Sequence, residues 1–226
     1  YGRATVGALR YSENGTTLVL ADHALQGVDA VTAAGEPLLG AELRNGADVT
    51  GHAVAFLDIP EALDTGVEIT AEVRGLSGNP ADIIADIYPR SDLQDFRIWC
   101  ANQGLILGGA LGTKMTIRAA ISFILDQVGA VWSAGLPGFA IPFPPDAGGP
   151  LHAEFGSLDV SDWSAECSLE NVVTRVTVPF DWDYSAGQAK QSVVLEAITA
   201  SKIHSVRESE LALPWVKTAR QAVATA

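Results

Sequence analysis

The feature that most constrains this chain is a change of period near residue 75. GVEITAEVRG (66–75) alternates without a break, with Val67, Ile69, Ala71 and Val73 on one side and Glu68, Thr70, Glu72 and Arg74 on the other. Successive strand residues face opposite ways, so this pattern predicts a strand with one buried and one wet face. SGNPADIIADIYP follows at once, and its apolar residues Ile83, Ile84 and Ile87 recur at helical spacing. Asn79 stands where an N-cap belongs, and Pro80 stands at the first helical position, where a missing N–H costs nothing. A strand that runs straight into a capped helix predicts an α+β chain.

The flanking segments extend this reading. Residues 1 to about 75 read as β. LRYSENGTTLVLA places Asn14-Gly15 between apolar runs, the strongest short hairpin signal. Asn14-Gly15-Thr16 also matches a glycosylation sequon, and the turn explains the same residues without secretion. VDAVTAAGEPLLGAEL predicts a second hairpin with Gly35 near its turn, and HAVAFLDIP another strand. Pro89 ends the first helix. SDLQDFRIWCANQG predicts a second, with Ser91 and Gln94 in a capping-box arrangement, Leu93, Phe96, Trp99 and Cys100 buried, and Gly104 just past its end. LIL (105–107) reads as a short strand. MTIRAAISFILDQVG predicts a third helix, capped by Thr116, with Ile117, Ile121, Ile124, Leu125 and Val128 inward and Gly129 at its end. AVWSAGLPGFAIPF reads as a hairpin tipped by Gly135–Gly138, and residues 144–150 as a loop. From 157 to about 207 the pattern is mostly β, and a last helix is predicted from Pro214. The chain thus divides into a β-rich unit (1–76), a helical segment (77–128) and a second β-rich unit ending in a helix (129–226). A start in mid-strand and an uncapped end are expected of a piece of a longer protein.

Composition narrows the function. Of 226 residues, 48% are hydrophobic and 18% charged, which marks a globular chain. No run of about 18 apolar residues exists to span a membrane, and the first residues lack a signal peptide's apolar stretch. The net charge is −13. Such a surface repels phosphate, which argues against tight nucleic-acid binding. Cys100 and Cys167 form neither a disulfide framework nor a zinc pattern and read as two unrelated buried thiols.

Candidate chemistry yields little. His23, His52, His152 and His204 include no pair at the i, i+4 spacing of a helical metal site. GLILGGALGTK (104–114) lacks the Gly-Lys-Ser/Thr order of a phosphate-cradling loop and reads as a tight connection between two helices. Asp82 and Asp86 lie one helical turn apart, a spacing open to acid–base work or a hard cation, yet one that also suits a solvated helix face. Asp159, Asp162, Glu166 and Glu170 lack the pattern of a calcium loop. The richest stretch is ENVVTRVTVPFDWDYSAG (170–187), where aspartates stand among aromatics as in a glycan-cleaving cleft. Its parity separates them: Val178, Phe180, Trp182 and Tyr184 are even, and Pro179, Asp181 and Asp183 odd. The two carboxylates would stand about 7 Å apart along one strand. They would lie side by side, whereas a glycosidase pair flanks the bond from opposite sides. An amphipathic strand is therefore expected, with aromatics inward or against a neighbour, aspartates toward solvent or a channel, and Pro179 at an edge or bulge.

The order of these motifs resembles that of the hub proteins of phage tails: the baseplate hub of contractile tails and the tail-tip proteins of long flexible tails and gene-transfer-agent particles. The series VEITAEVRGL, NPADIIADIY, DFRIWCANQGL, TIRAAISFILDQVGAVWSAGLPGFAIPF and ENVVTRVTVPFDWDYSAG, closed by a C-terminal helix, carries the resemblance over roughly residues 65–226. It implies β-barrel-like hub domains with a cluster of short helices between β segments. It also implies a ring, commonly a homotrimer, that joins the tail tube to the spike or fibre apparatus around the DNA channel. The implied partners are copies of itself, tail-tube and distal tail proteins, and spike or fibre proteins, at the virion's tail tip. No catalytic, cofactor-binding or metal residue belongs to this part of the family's pattern, so no site residue and no enzyme activity is expected. Family members are usually longer, so the resemblance implies an expected N-terminal portion beyond this chain. Two rival readings remain. A carbohydrate-binding or glycan-degrading module would expose Trp163 and Trp182 beside carboxylates, and a secreted β-rich adhesin would follow a signal peptide.

Overall fold

The computed structural model describes residues 1–12, 15–89, 93–131, 141–142 and 172–226, with 141–142 as backbone only. The first part is β: β1 (Arg3–Gly7), β2 (Leu9–Arg10), β3 (Thr17–Ala21), β4 (Gly27–Ala33), β5 (Glu36–Pro37), β6 (Glu42–Ala47), β7 (Ala53–Asp58) and β8 (Ile69–Arg74). Then come α1 (Pro80–Ile87), α2 (Gln94–Gln103) and α3 (Ile117–Asp126). The last part holds β9 (Ala130–Val131), β10 (Ile141–Pro142), β11 (Arg175–Asp183), β12 (Gln188–Glu196), α4 (Ile198–His204), β13 (Glu208–Glu210) and α5 (Ala219–Thr225). The α+β class is what the period change predicts.

Two main sheets form, each open among the described residues. One has the order β12-β11-β1-β8-β4-β5, with β13 also on β11, and the other β2-β3-β7-β6. The larger sheet draws strands from both the first and the last segment. The alternation of β8 is realised as read: Ile69, Ala71 and Val73 are buried, and Val6 and Ala4 of β1 stand opposite Ala71 and Val73. These side chains meet Leu18, Leu20, Ala55 and Leu57 of the smaller sheet in one core. Each large aliphatic side chain so enclosed contributes about 1.5–3 kcal/mol. Both predicted hairpins pair, β2 with β3 and β4 with β5. In the second, Ala34 and Gly35 both have positive φ (50° and 85°), the handedness that a two-residue turn needs to match the strands' twist.

The helices build a second core. Asn79 caps α1 by accepting from the Ala81 N–H at 2.9 Å, with Pro80 at the first position, and Thr116 caps α3 through the Ala119 N–H. Ile83, Ile84, Leu93, Phe96, Cys100, Ile121, Ile124 and Leu125 pack together with Val178 and Phe180 of β11. Gly104 closes α2 in the left-handed region. Ser91 of the expected capping box lies outside the described residues, and α2 runs from Gln94 with Leu93 before it drawn into the core. Two details differ from the sequence reading. Residues 105–107 form no strand and contribute one bridge, Leu107 to Val216. Ile117 is half exposed, since the first turn of α3 projects beyond the core.

The C-terminal part departs further. Pairing of Val131 with Ile141 bears out the predicted hairpin, while its tip, the loop at 144–150 and the acidic residues 159–170 lie outside the described residues. Within the stretch read as β, residues 198–204 form α4, which buries none of its side chains. The last helix begins at Ala219 and not at Pro214, because Leu213–Val216 closes a tight turn, with the Val216 N–H donating to the Leu213 carbonyl at 3.1 Å, and bridges from Leu213 to Phe180 and from Val216 to Leu107 pin its two ends. A residue before proline avoids the helical region, which favours this outcome at Leu213.

Candidate functional site

The strand β11 carries the residues that first suggest chemistry. Val178 and Phe180 are buried, as their parity predicts. Pro179 is not at an edge, because β11 is flanked by β12 and by β13. Pairing with β13 covers Arg175–Thr177 and contact resumes at Phe180–Leu213, so the residue without an N–H falls in the interruption. At Asp181 the strand kinks, with φ at 54°. The kink turns the Asp181 N–H to the Val216 carbonyl at 2.9 Å and the Trp182 N–H to the Pro214 carbonyl at 3.0 Å.

The kink also corrects the expected placement of the aspartates. Asp181 does not face open solvent: Lys217 Nζ donates to its Oδ1 at 2.8 Å, and both side chains are about four-fifths covered. Asp183 folds over the β11–β12 turn and accepts from the Ser185 N–H at 3.0 Å, the Ser185 hydroxyl at 2.6 Å and the Ala186 N–H at 3.1 Å. Partial burial pushes its carboxyl up, but these donors and the Lys190 ammonium outweigh that and hold it below the usual range. Both carboxylates are thus engaged by donors of the fold itself. Trp182 is half-buried and belongs to neither hydrophobic core among the described residues.

Around Asp181, β1, β8 and β11 enclose a cleft of about 240 Å³ lined by Arg3, Asp29, Glu72, Asp181, Lys190 and Lys217. Arg74 Nε meets Asp29 at 2.8 Å, and Lys190 Nζ donates to Thr5 Oγ1 at 2.7 Å. Three lining cations face three lining acids, so the cleft favours neither a phosphate nor a metal ion. It reads as the seam where β1 and β11 run parallel and pair only at Thr5–Asp183. Lys217→Met would leave the largely covered Asp181 without its ion partner. A loss of about 1–2 kcal/mol is expected in denaturant unfolding, with no effect predicted for an exposed cation such as Lys114.

The other candidates resolve into structure. Asp82 accepts from Ser77 Oγ at 2.9 Å and from Arg97 Nε at 2.6 Å, tying α1 to α2. Asp86 accepts from the Tyr1 hydroxyl at 2.6 Å. These two carboxylates serve different partners and form no shared site. Cys100 is free and fully buried, and that burial pushes its thiol up to about 12. Cys167 and His152 lie outside the described residues. His23 stacks on Tyr1 with centroids 5.4 Å apart, while His52 stands exposed and His204 ends α4. Among the described residues no three His, Cys, Asp or Glu side chains gather around a common point. Nor is any described helix long and apolar enough to cross a membrane.

What sequence reasoning missed is an apolar surface around α4. Ile198 and Ile203 are 64% and 71% exposed, and Val194 of β12 is 58% exposed. Val206 and Val173 flank them, each about half exposed. The face was hidden because the period-two pattern of 157–207 was extended through a helix. AITASKIH gave little warning, because its two isoleucines stand five residues apart, a spacing that fits neither one side of a strand nor one face of a helix. No protein-family model matches this chain, and no curated protein is similar to it.

Proposed function

We propose that this chain is a structural component of a phage or phage-like tail, part of the hub ring that joins the tail tube to the spike or fibre apparatus. The observation that carries the reading is the α4 face. A seven-residue helix is too short to be stable in water on its own, and α4 buries none of its side chains in its own subunit. Exposed Ile198, Ile203 and Val194 then mark a surface that a second molecule covers. The adjoining strand β12 is nine residues long, carries no proline and ends the larger sheet among the described residues, which leaves its outer edge for pairing. In this reading copies of the chain, three in a ring, complete one another's sheets into a barrel-like wall. The net charge of −13 suits a channel wall that lets DNA pass without holding it.

Light scattering of the purified full-length protein, together with co-sedimentation on tail-tube protein, tests this. The expected result for this chain is a particle of three times its 23.7 kDa mass, which Ile203→Asp returns to one. A strict monomer that also fails to associate with tail tube would refute the reading. The carbohydrate-binding alternative keeps one observation in its favour, the position of Trp182 outside both cores, and predicts glycan-array binding that Trp182→Ala abolishes.

A further inference from the structure

We infer that the groove between the C-terminal ends of α2 and α3 and the last helix α5 is a binding site for a carboxylate attached to an apolar body. The groove holds about 370 Å³ and is lined by Trp99, Gln103, Leu105, Val128, Arg220 and Gln221, with smaller residues of α5 at its rim. That volume lies in the range of small-molecule sites.

Gln221 supplies the decisive detail. It is 6% exposed, and its Oε1 accepts from the Ile106 N–H at 3.3 Å. Its Nε2 is buried and has no acceptor among the described residues. A buried amide donor left unpaired costs free energy, so a group that accepts from it gains what the fold leaves unused. The rest of the lining says what that group is. Arg220 brings a positive charge with no carboxylate in ion-pair reach among the described residues, and no acid lines the groove. On a chain of net charge −13 such a place stands out. Among the described residues Arg220 is the one charged side chain of the lining, and a guanidinium with an amide donor beside it favours an anionic oxygen pair over an uncharged group. Trp99, stacked on Phe96 at 5.9 Å and still partly exposed, joins Leu105 and Val128 as the apolar wall for the rest of the ligand. The site does not depend on the hub reading and shares no residue with the α4 face.

Benzoate is the probe, with benzamide as its uncharged match. In the isotope-labelled protein, benzoate is expected to give saturable NMR shifts at the Trp99 indole N–H and the Gln221 side-chain amide, and benzamide to bind at least about tenfold more weakly. Arg220→Met, at an exposed position, and Gln221→Leu are each expected to weaken benzoate by about tenfold. Circular dichroism of both variants checks that the fold is kept. Absence of saturable shifts with benzoate, equal binding of benzoate and benzamide, or benzoate binding that Arg220→Met leaves unchanged would each overturn the proposal.

Discussion

Trp215→Ala is expected to cost about 3–5 kcal/mol, the upper range for deleting a buried aromatic side chain. Trp215 is fully buried and is the largest fully enclosed side chain among the described residues. Its indole meets the Phe123 ring edge-on at 5.5 Å and the Tyr1 ring at 6.0 Å. Its backbone is equally committed: the carbonyl accepts from the Gly108 N–H at 2.8 Å, and the N–H donates to Gln127 Oε1 at 3.1 Å. The surroundings come from β11, α3, the 105–109 connection and the chain start, so no single element can collapse into the void. A typical domain holds only about 5–15 kcal/mol in total, and the variant is expected to lie near the edge of folding. The check is urea unfolding of wild type and variant, with the slope compared so that a changed denatured state is not mistaken for lost stability. A loss below about 1 kcal/mol would show that Trp215 does not tie these segments together. Trp99→Ala, at a half-covered position on the same side of the helices, should cost less.

Trp215 also marks where the sequence stopped being legible. The strand–helix change at residue 75, the Asn79 and Thr116 caps, the Gly104 stop and the buried parity of Val178 and Phe180 were all readable. Each is set by neighbours within a few residues. Leu213–Val216 was not readable in this way. Pro214 opens helices well, and the tight turn it enters instead is pinned at its ends by Phe180 and Leu107, which are distant in sequence. Asp181 failed for the same reason. A strict period of two puts it on the solvent side, but bonds to Val216 and Lys217 turn the backbone into the left-handed region and draw the side chain in. The candidate chemistry at 170–187 was separable by parity alone, whereas the partners that occupy each carboxylate required the tertiary fold. The exposed face of α4 and the unpaired amide of Gln221 needed it too, because an unfilled contact leaves no pattern in the residues that lack it.

The glycine-rich stretch 104–114 offers the sharpest test of these long-range ties. Read as sequence it is a tight connection, and in a mere connection one glycine should serve as well as another. In the structure Gly108 and Gly109 lie where three segments converge: the Gly109 N–H donates to the Tyr1 carbonyl at 3.0 Å, and the Leu107 N–H to the Gly78 carbonyl at 2.8 Å. A Cβ on Gly108 would run into the backbone of Arg3 in β1, which cannot move without breaking the sheet. A Cβ on Gly109 would run into the Trp215 indole. Gly112, three residues further on, has open space around it. Gly108→Ala is therefore expected to cost about 2–3 kcal/mol, or roughly 5–10 °C in melting temperature for a chain of this size. Gly112→Ala is expected to be neutral or to stabilise by up to about 1 kcal/mol, through the smaller freedom of its unfolded chain. Thermal melts of the two variants beside wild type decide between the readings. Equal and small effects would make residues 104–114 a simple linker, and a loss confined to Gly108 would place the close approach of β1, the connection and the Trp215 segment at the centre of the fold's stability.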